Sequence, residues 1–364
     1  MKKILIIGQT PPPYGGQIIH IGKIVSIFEK NKIEFQLIRM FFSEDMNENG
    51  KFSFKKIWKL LFLQIQTLYK LASYRPDYVY YPLSGCEKIP VYRDIVMLFF
   101  VRLFGFKTIF HFHAGGIAEI YPRLNFFMQK LFKFIFFKSG HSICMSKSGL
   151  KDPQFLESKN IEIIPYGVER SENEIKPDKY DMNKKCQVLF VGVCRESKGI
   201  LDFIKVIDIA NKADSRIIGK IVGKIFSEKE QEAVRRGIEQ GIIISEGVKI
   251  GDEKNTIFKE SDLFLFPSFF EHENFPTVVL EAFSYGIPVI STKWRGIVDQ
   301  IEHGRNGYLH ELHDIRGMAD SIIKIANNKV LYKELSTNAF NDYNKLYTNR
   351  LFEKNIIKFF NNLA

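Results

Sequence analysis

The stretch Pro267–Ile290, PSFFEHENFPTVVLEAFSYGIPVI, decides the fold. The four apolar residues before it, Leu263-Phe264-Leu265-Phe266, predict a buried strand. A helix follows and stops at Gly286, the residue type that most readily closes a helix in the left-handed region. Val289-Ile290-Ser291-Thr292 predicts the next strand, so the segment is a βαβ unit. Units of this kind take ligands at the carboxyl ends of their strands, where helix N-terminal amides face an anion. Here that place is Pro267–Pro276. Glu273 lies in the loop, whereas Thr277 and Glu281 are one helical turn apart and share a face. Two carboxylates would repel a diphosphate that faced them. They are better suited to accept hydrogen bonds from sugar and ribose hydroxyls while the amides hold the phosphates.

The same alternation extends outward in both directions. Lys3–Ile7, Phe35–Ile38, Tyr78–Tyr81, Thr108–Phe112, His141–Met145 and Ile161–Pro165 are strand candidates in the first half, with helices such as Gln17–Glu29 and Val91–Phe104 between them. A polar stretch, ERSENEIKPDKYDMNKK, covers residues 169–185 and reads as a linker. Beyond it, Gln187–Val191, Ile217–Val222 and Ile242–Ser245 precede the unit already described. The fold class is therefore α/β with parallel sheets, and 364 residues suffice for two domains with separate cores. Tyr347–Leu363 reads as an amphipathic terminal helix.

With Glu273-Asn274-Phe275-Pro276, Leu280-Glu281-Ala282 and Gly286-Ile287-Pro288-Val289 in place, the chain resembles the retaining, GT-B-fold glycosyltransferases of family 4, the group 1 glycosyl transferases. The resemblance spans nearly the whole chain and is tightest in the second half. It implies two Rossmann-like domains facing a central cleft: an acceptor domain over 1–168, the linker 169–185, a nucleotide-sugar domain over 186–345, and a C-terminal helix, 346–364, crossing back to the first domain. It gives Glu273 to the donor sugar, Glu281 to the ribose, and the loop Asn274, Phe275, Pro276 and Thr277, through its backbone amides, to sugar and diphosphate. As isolated residues, both glutamates would be ordinary solvated charges.

Further segments extend the match. Pro11-Pro12-Pro13-Tyr14-Gly15-Gly16 follows the first strand, and Gly15 and Gly16 let backbone amides approach a ligand closely, although on its own a diglycine is a turn. In Phe190–Gly199, Lys198 matches the family lysine that neutralises the diphosphate. Val193 occupies the family's arginine position, and Arg195 is the candidate to replace it. Phe110-His111-Phe112-His113 ends a strand with both imidazoles on one face. The family keeps a histidine at the position of His113, beside donor sugar and acceptor, while His111 reads as structural; no third ligand at metal-binding spacing accompanies them. Tyr166-Gly167-Val168 stands where the family has Asn-Gly-Val. The resemblance implies a nucleotide-sugar donor, a UDP-sugar first and a GDP-sugar second, transferred with retention and without metal or other cofactor. An epimerase or phosphorylase on the same architecture, or a non-catalytic membrane-associated scaffold, would share these motifs.

Charge is distributed unevenly. Residues 1–180 hold 26 Lys and Arg against 16 Asp and Glu, the remainder 26 against 25, so an acidic partner is expected at the first half. Two windows, 51–76 and 120–151, each contain six basic residues and no acidic one, among bulky apolar groups. Such helices lie in anionic membrane interfaces, each cation adding about 1 kcal/mol; equally, the phenylalanines could fill a core. The partners expected are thus a nucleotide sugar, a saccharide acceptor carried on lipid, and an anionic membrane surface. Nucleic acid ranks well below a membrane as the acidic partner, since no recognition motif accompanies the charge, and no nucleic-acid partner is expected. The apolar runs are far shorter than the ~20 residues of a membrane span, and Met1–Gly8 reads as a buried strand and not a leader. Cys86, Cys144, Cys186 and Cys194 form no close pair, as expected of free thiols in a reducing compartment. The location that follows is cytoplasmic, at the inner membrane face, in bacterial capsule or exopolysaccharide synthesis.

Overall fold

Six strands of the first half form one parallel sheet in the computed structural model, which describes residues 2–12, 15–41, 54–85, 87–170 and 180–363. They are β1 (Ile4–Gly8), β2 (Phe35–Arg39), β3 (Tyr78–Leu83), β4 (Lys107–Phe112), β5 (His141–Cys144) and β6 (Asn160–Ile163), in the spatial order β2-β1-β3-β4-β5-β6. A second parallel sheet holds β7 (Cys186–Val191), β8 (Ile217–Val222), β9 (Ile243–Ser245), β10 (Leu263–Phe266), β11 (Val289–Thr292) and β12 (Gly307–His310), ordered β12-β11-β10-β7-β8-β9. β1, β3, β8, β10 and β11 are buried along their whole length, the state of parallel strands covered by helices on both faces.

Most of the expected linker, residues 171–179, lies outside the described residues, as do Pro13, Tyr14, Cys86 and residues 51–53 of the first basic window. The chain divides into two compact units, Met1–Tyr166 with Arg350–Ala364, and Gly167–Asn349. The terminal helix Asn349–Asn361 is amphipathic for a concrete reason. Phe352, Ile356, Phe359 and Phe360 are buried, Phe360 with its ring 4.6 Å from Phe28, while Glu353 pairs with Lys30 at 2.9 Å.

The strand order fixes where ligands can bind. In each unit the order reverses beside the first strand, between β1 and β3 and between β7 and β10. The loops leaving those carboxyl ends diverge to opposite faces and leave a crevice at the switch point. Gly15 and Gly16 follow β1, Lys198 follows β7 and Glu273 follows β10, whereas His113 follows β4 and Glu281 lies in the helix after the β10 loop.

Candidate functional site

In the second unit the exits of β7 and β10 are joined by close backbone contacts. Phe269 N donates to Ser197 O at 2.9 Å. Gly199 sits at φ +84°, and a Cβ there would stand 2.1 Å from Pro267 O. Only glycine permits both the backbone angle and the approach. This contact brings Lys198 over the β10 loop. Its ammonium lies 2.6 Å from Glu273 Oε2 and 4.3 Å from the ring centroid of Phe270. Ser268 Oγ donates to the same carboxylate oxygen at 2.9 Å, and Glu273 is 7% exposed. A carboxylate so enclosed requires a cation and a hydroxyl, and it has both.

The loop behind Glu273 is held equally tightly. A Cβ on Gly296 would lie 1.5 Å from Asn274 O, Gln300 Nε2 donates to Pro276 O at 3.1 Å, and Trp294 Nε1 to Phe270 O at 2.8 Å. Asn274, Phe275 and Pro276 are consequently buried and lead directly into the helix Thr277–Ser284. That helix begins after Pro276 with no side-chain cap, and the helix Ile200–Ala213 begins after Gly199 with none either. By contrast, Asn328 and Asp314 cap helices elsewhere in the unit. The amides at the two switch-point helix starts are thus left for another acceptor.

Glu281, one turn into its helix, pairs with Lys254 through Oε1 at 2.8 Å. Its second oxygen, Oε2, is shielded from solvent and has no protein partner. Lys254 comes from the helix Gly251–Glu260, and no motif signalled it. Arg195 is placed differently. It shares a loop with Lys198, but its guanidinium stacks 3.9 Å from the ring centroid of Phe226, an exposed residue beyond β8.

The first unit carries a neutral cluster. Gly15 precedes the helix Gly16–Lys30, which has neither a side-chain cap nor an acidic residue in its first turn. A Cβ on Gly16 would meet nothing within 4 Å, so packing does not demand glycine there. At the end of β4, His111 and His113 have ring centroids 4.0 Å apart, as their spacing predicts. His111 Nδ1 is 2.6 Å from Tyr80 Oη, and His113 Nδ1 is hydrogen-bonded to Tyr166 Oη. Tyr166 lies flat on His20, 3.4 Å between centroids. Burial pushes all three imidazoles well below their ordinary range, His111 to about 3, and pushes the Tyr166 phenol up. Each ring is therefore neutral at pH 7, and His20 Nδ1, His111 Nε2 and His113 Nε2 have no protein partner. Among the described residues, no group of His, Cys, Asp or Glu side chains is arranged to hold a metal ion.

A switch-point crevice with uncapped helix starts, a lysine and two carboxylates can hold an anionic ligand together with its hydroxyl groups. Residues 171–342 match the family model described as glycosyl transferases group 1. A stretch of 155 residues is 28% identical to an N-acetyl-alpha-D-glucosaminyl L-malate synthase of Bacillus anthracis, covering 42% of this chain and 39% of that protein. Another of 187 residues is 22% identical to the capsular polysaccharide biosynthesis glycosyltransferase CapM of Staphylococcus aureus, covering 50% and 48%. The match thus spans less than half the length of either relative. Among solved structures, Anabaena HepE in complex with UDP and glucose superposes with a TM-score of 0.69 over the full length of both chains, at 15% identity. That likeness concerns the fold.

Proposed function

We propose that this protein is a retaining glycosyltransferase that moves a sugar from a nucleotide sugar, a UDP-sugar first, to a hydroxyl of a lipid-linked saccharide in bacterial surface polysaccharide synthesis. The observation that carries the proposal is the Lys198–Glu273 pair at the switch point between β7 and β10. An ammonium has three N–H donors, so Lys198 can keep Glu273 and still offer two to phosphate oxygens. Its charge also offsets that of Glu273, which makes a diphosphate tolerable beside a carboxylate. The capsule relative and the neighbour holding UDP and glucose support the donor and the pathway class.

In the reaction, the acceptor oxygen attacks the anomeric carbon from the face the diphosphate leaves. The anomeric C–O bond to the diphosphate breaks, and a diphosphate oxygen takes the acceptor's proton. Lys198, Arg195 as the second cation of that loop, and the amides at the uncapped starts of Ile200–Ala213 and Thr277–Ser284 stabilise the charge that develops. Glu273 orients the sugar through its hydroxyls. Glu281 Oε2, without a protein partner, accepts from the ribose. In the first unit, His113 Nε2 and the bare backbone of Gly15 and Gly16 are assigned to sugar or acceptor hydroxyls. No metal enters this scheme.

The test is calorimetry with UDP and GDP on the parent and on Glu281→Ala, followed by mass spectrometry and anomeric NMR of the product. Weaker nucleotide binding and an acceptor-dependent product with retained configuration are expected. Unchanged affinity, or donor converted without acceptor, would overturn the assignment.

A further inference from the structure

Three helices of the first unit present bulky apolar side chains outward as well as inward. On Phe54–Ser73, Leu63, Thr67 and Leu71 are buried, while Trp58, Leu61, Phe62, Ile65 and Tyr69 are exposed, Trp58 at 73% and Ile65 at 64%. The exposed set recurs at three- and four-residue spacing, so the helix carries a second apolar stripe away from the core. The helix Lys88–Leu103 packs beside it, Gln64 Nε2 donating to Val96 O, and exposes Ile89, Tyr92 and Val96. The helix Phe126–Phe136 packs on Lys88–Leu103 in turn. Arg102 donates to Phe137 O at 2.6 Å, and the rings of Phe99 and Phe134 lie 6.1 Å apart. Here the sequence reading divides: Phe132 and Phe136 are core, while Phe126, Phe127 and Phe134 are exposed.

Charge decides what covers this surface. The three helices carry nine Lys and Arg and a single carboxylate, Asp94. Asp94 is buried, bonded to Tyr81 Oη at 2.8 Å, to Ser84 N at 2.9 Å and to Arg93 at 2.8 Å. Cations therefore outnumber carboxylates on these helices and stand among exposed aromatics, as where Lys130 lies 4.3 Å from the ring centroid of Phe126. A second copy of the chain would set like charge against like. An anionic bilayer satisfies both features: acyl chains take the aromatic and aliphatic groups, and headgroups take the lysines. No described helix is long and apolar enough to cross a membrane.

We propose that this three-helix face lies in the interface of an anionic lipid bilayer, with Trp58, Phe62 and Phe127 entering the acyl boundary. It extends the membrane expectation from two basic windows to one continuous surface, and it does not depend on glycosyl transfer. The test uses the full chain with phosphatidylcholine vesicles, alone or with about one third phosphatidylglycerol, at low and high salt. Sedimentation with the anionic vesicles only, released by salt, is expected. W58D/F62D, both exposed positions, should lower the partition coefficient about tenfold or more while the circular dichroism and melting temperature stay at the parent values. The chain has two tryptophans, and Trp294 is bonded to Phe270 O, so quenching by brominated lipid reports on Trp58. Absence of binding to anionic vesicles at low salt would overturn the proposal. So would unaltered binding by W58D/F62D, or a dimer that this variant dissolves in a protein that ignores vesicles.

Discussion

The two units handle polar groups in opposite ways near the carboxyl ends of their strands. At the β7–β10 switch point, full charges are enclosed and matched, Lys198 with Glu273 and Lys254 with Glu281. Around the end of β4 in the other sheet, three imidazoles and two phenols are enclosed without any charge. The difference reflects the ligands each can serve. A diphosphate carries charge that only cations and amide dipoles can meet, whereas neutral nitrogens are suited to the hydroxyls of a sugar.

Changes at the charged pair should have the largest effect. Glu273→Gln keeps an acceptor for Ser268 but unbalances Lys198, and should lower turnover about 10²- to 10³-fold in a donor-plus-acceptor assay. A loss no larger than that of His113→Gln would erase the contrast between the units. Next comes Gly296→Ala. Its Cβ would meet Asn274 O at 1.5 Å, so the loop of Glu273 must move. We expect a loss of about 3 kcal/mol in denaturant unfolding of the second unit, with UDP affinity falling in parallel.

The neutral cluster gives a pH signature instead. His111 has a folded pKa of about 3, below its unfolded value of about 6.5, so the unfolded chain binds more protons between those values and stability rises with pH there. Stability is complete above about pH 6.5 and is lost as the pH falls, by about 2 kcal/mol at pH 5 for His111 alone. His20 and His113, lowered in the same direction, steepen the slope. Urea titrations at pH 5 and 7 measure it, and a flat response in the parent would show that the cluster is not closed to protons. The smallest effect is expected at Arg195→Ala. Its guanidinium rests on Phe226, so donor KM should rise no more than about tenfold, less than for Lys198→Ala. Equal effects would make the two cations of the loop equivalent.

Local pattern made much of this legible. Leu263–Phe266, Val289–Thr292 and Ile217–Val222 are strands over the residues their apolar runs predict, because a strand buried on both faces must be apolar throughout. Glu273 and Thr277–Glu281 could be placed on a loop and a helix face for the same reason. Lys254 could not be found, since its partner is 27 residues away on another helix. Tyr166 was legible only as a departure from a family pattern, and its bond to His113 spans 53 residues.

The sequence by itself determined the α/β class, the βαβ unit around the Glu273 loop, the two carboxylates and the basic character of the first half. These depend on residue type and on periods of two and 3.6, which a linear reading resolves. Tertiary structure alone decided which lysine meets which glutamate, that Tyr166 joins His20 and His113, and that three separate helices share one apolar, cationic face. Those facts follow from strand order, β2-β1-β3-β4-β5-β6 in one sheet and β12-β11-β10-β7-β8-β9 in the other. Periodicity states that strands exist and which faces they bury, but the neighbour of each strand is chosen by packing across the whole unit.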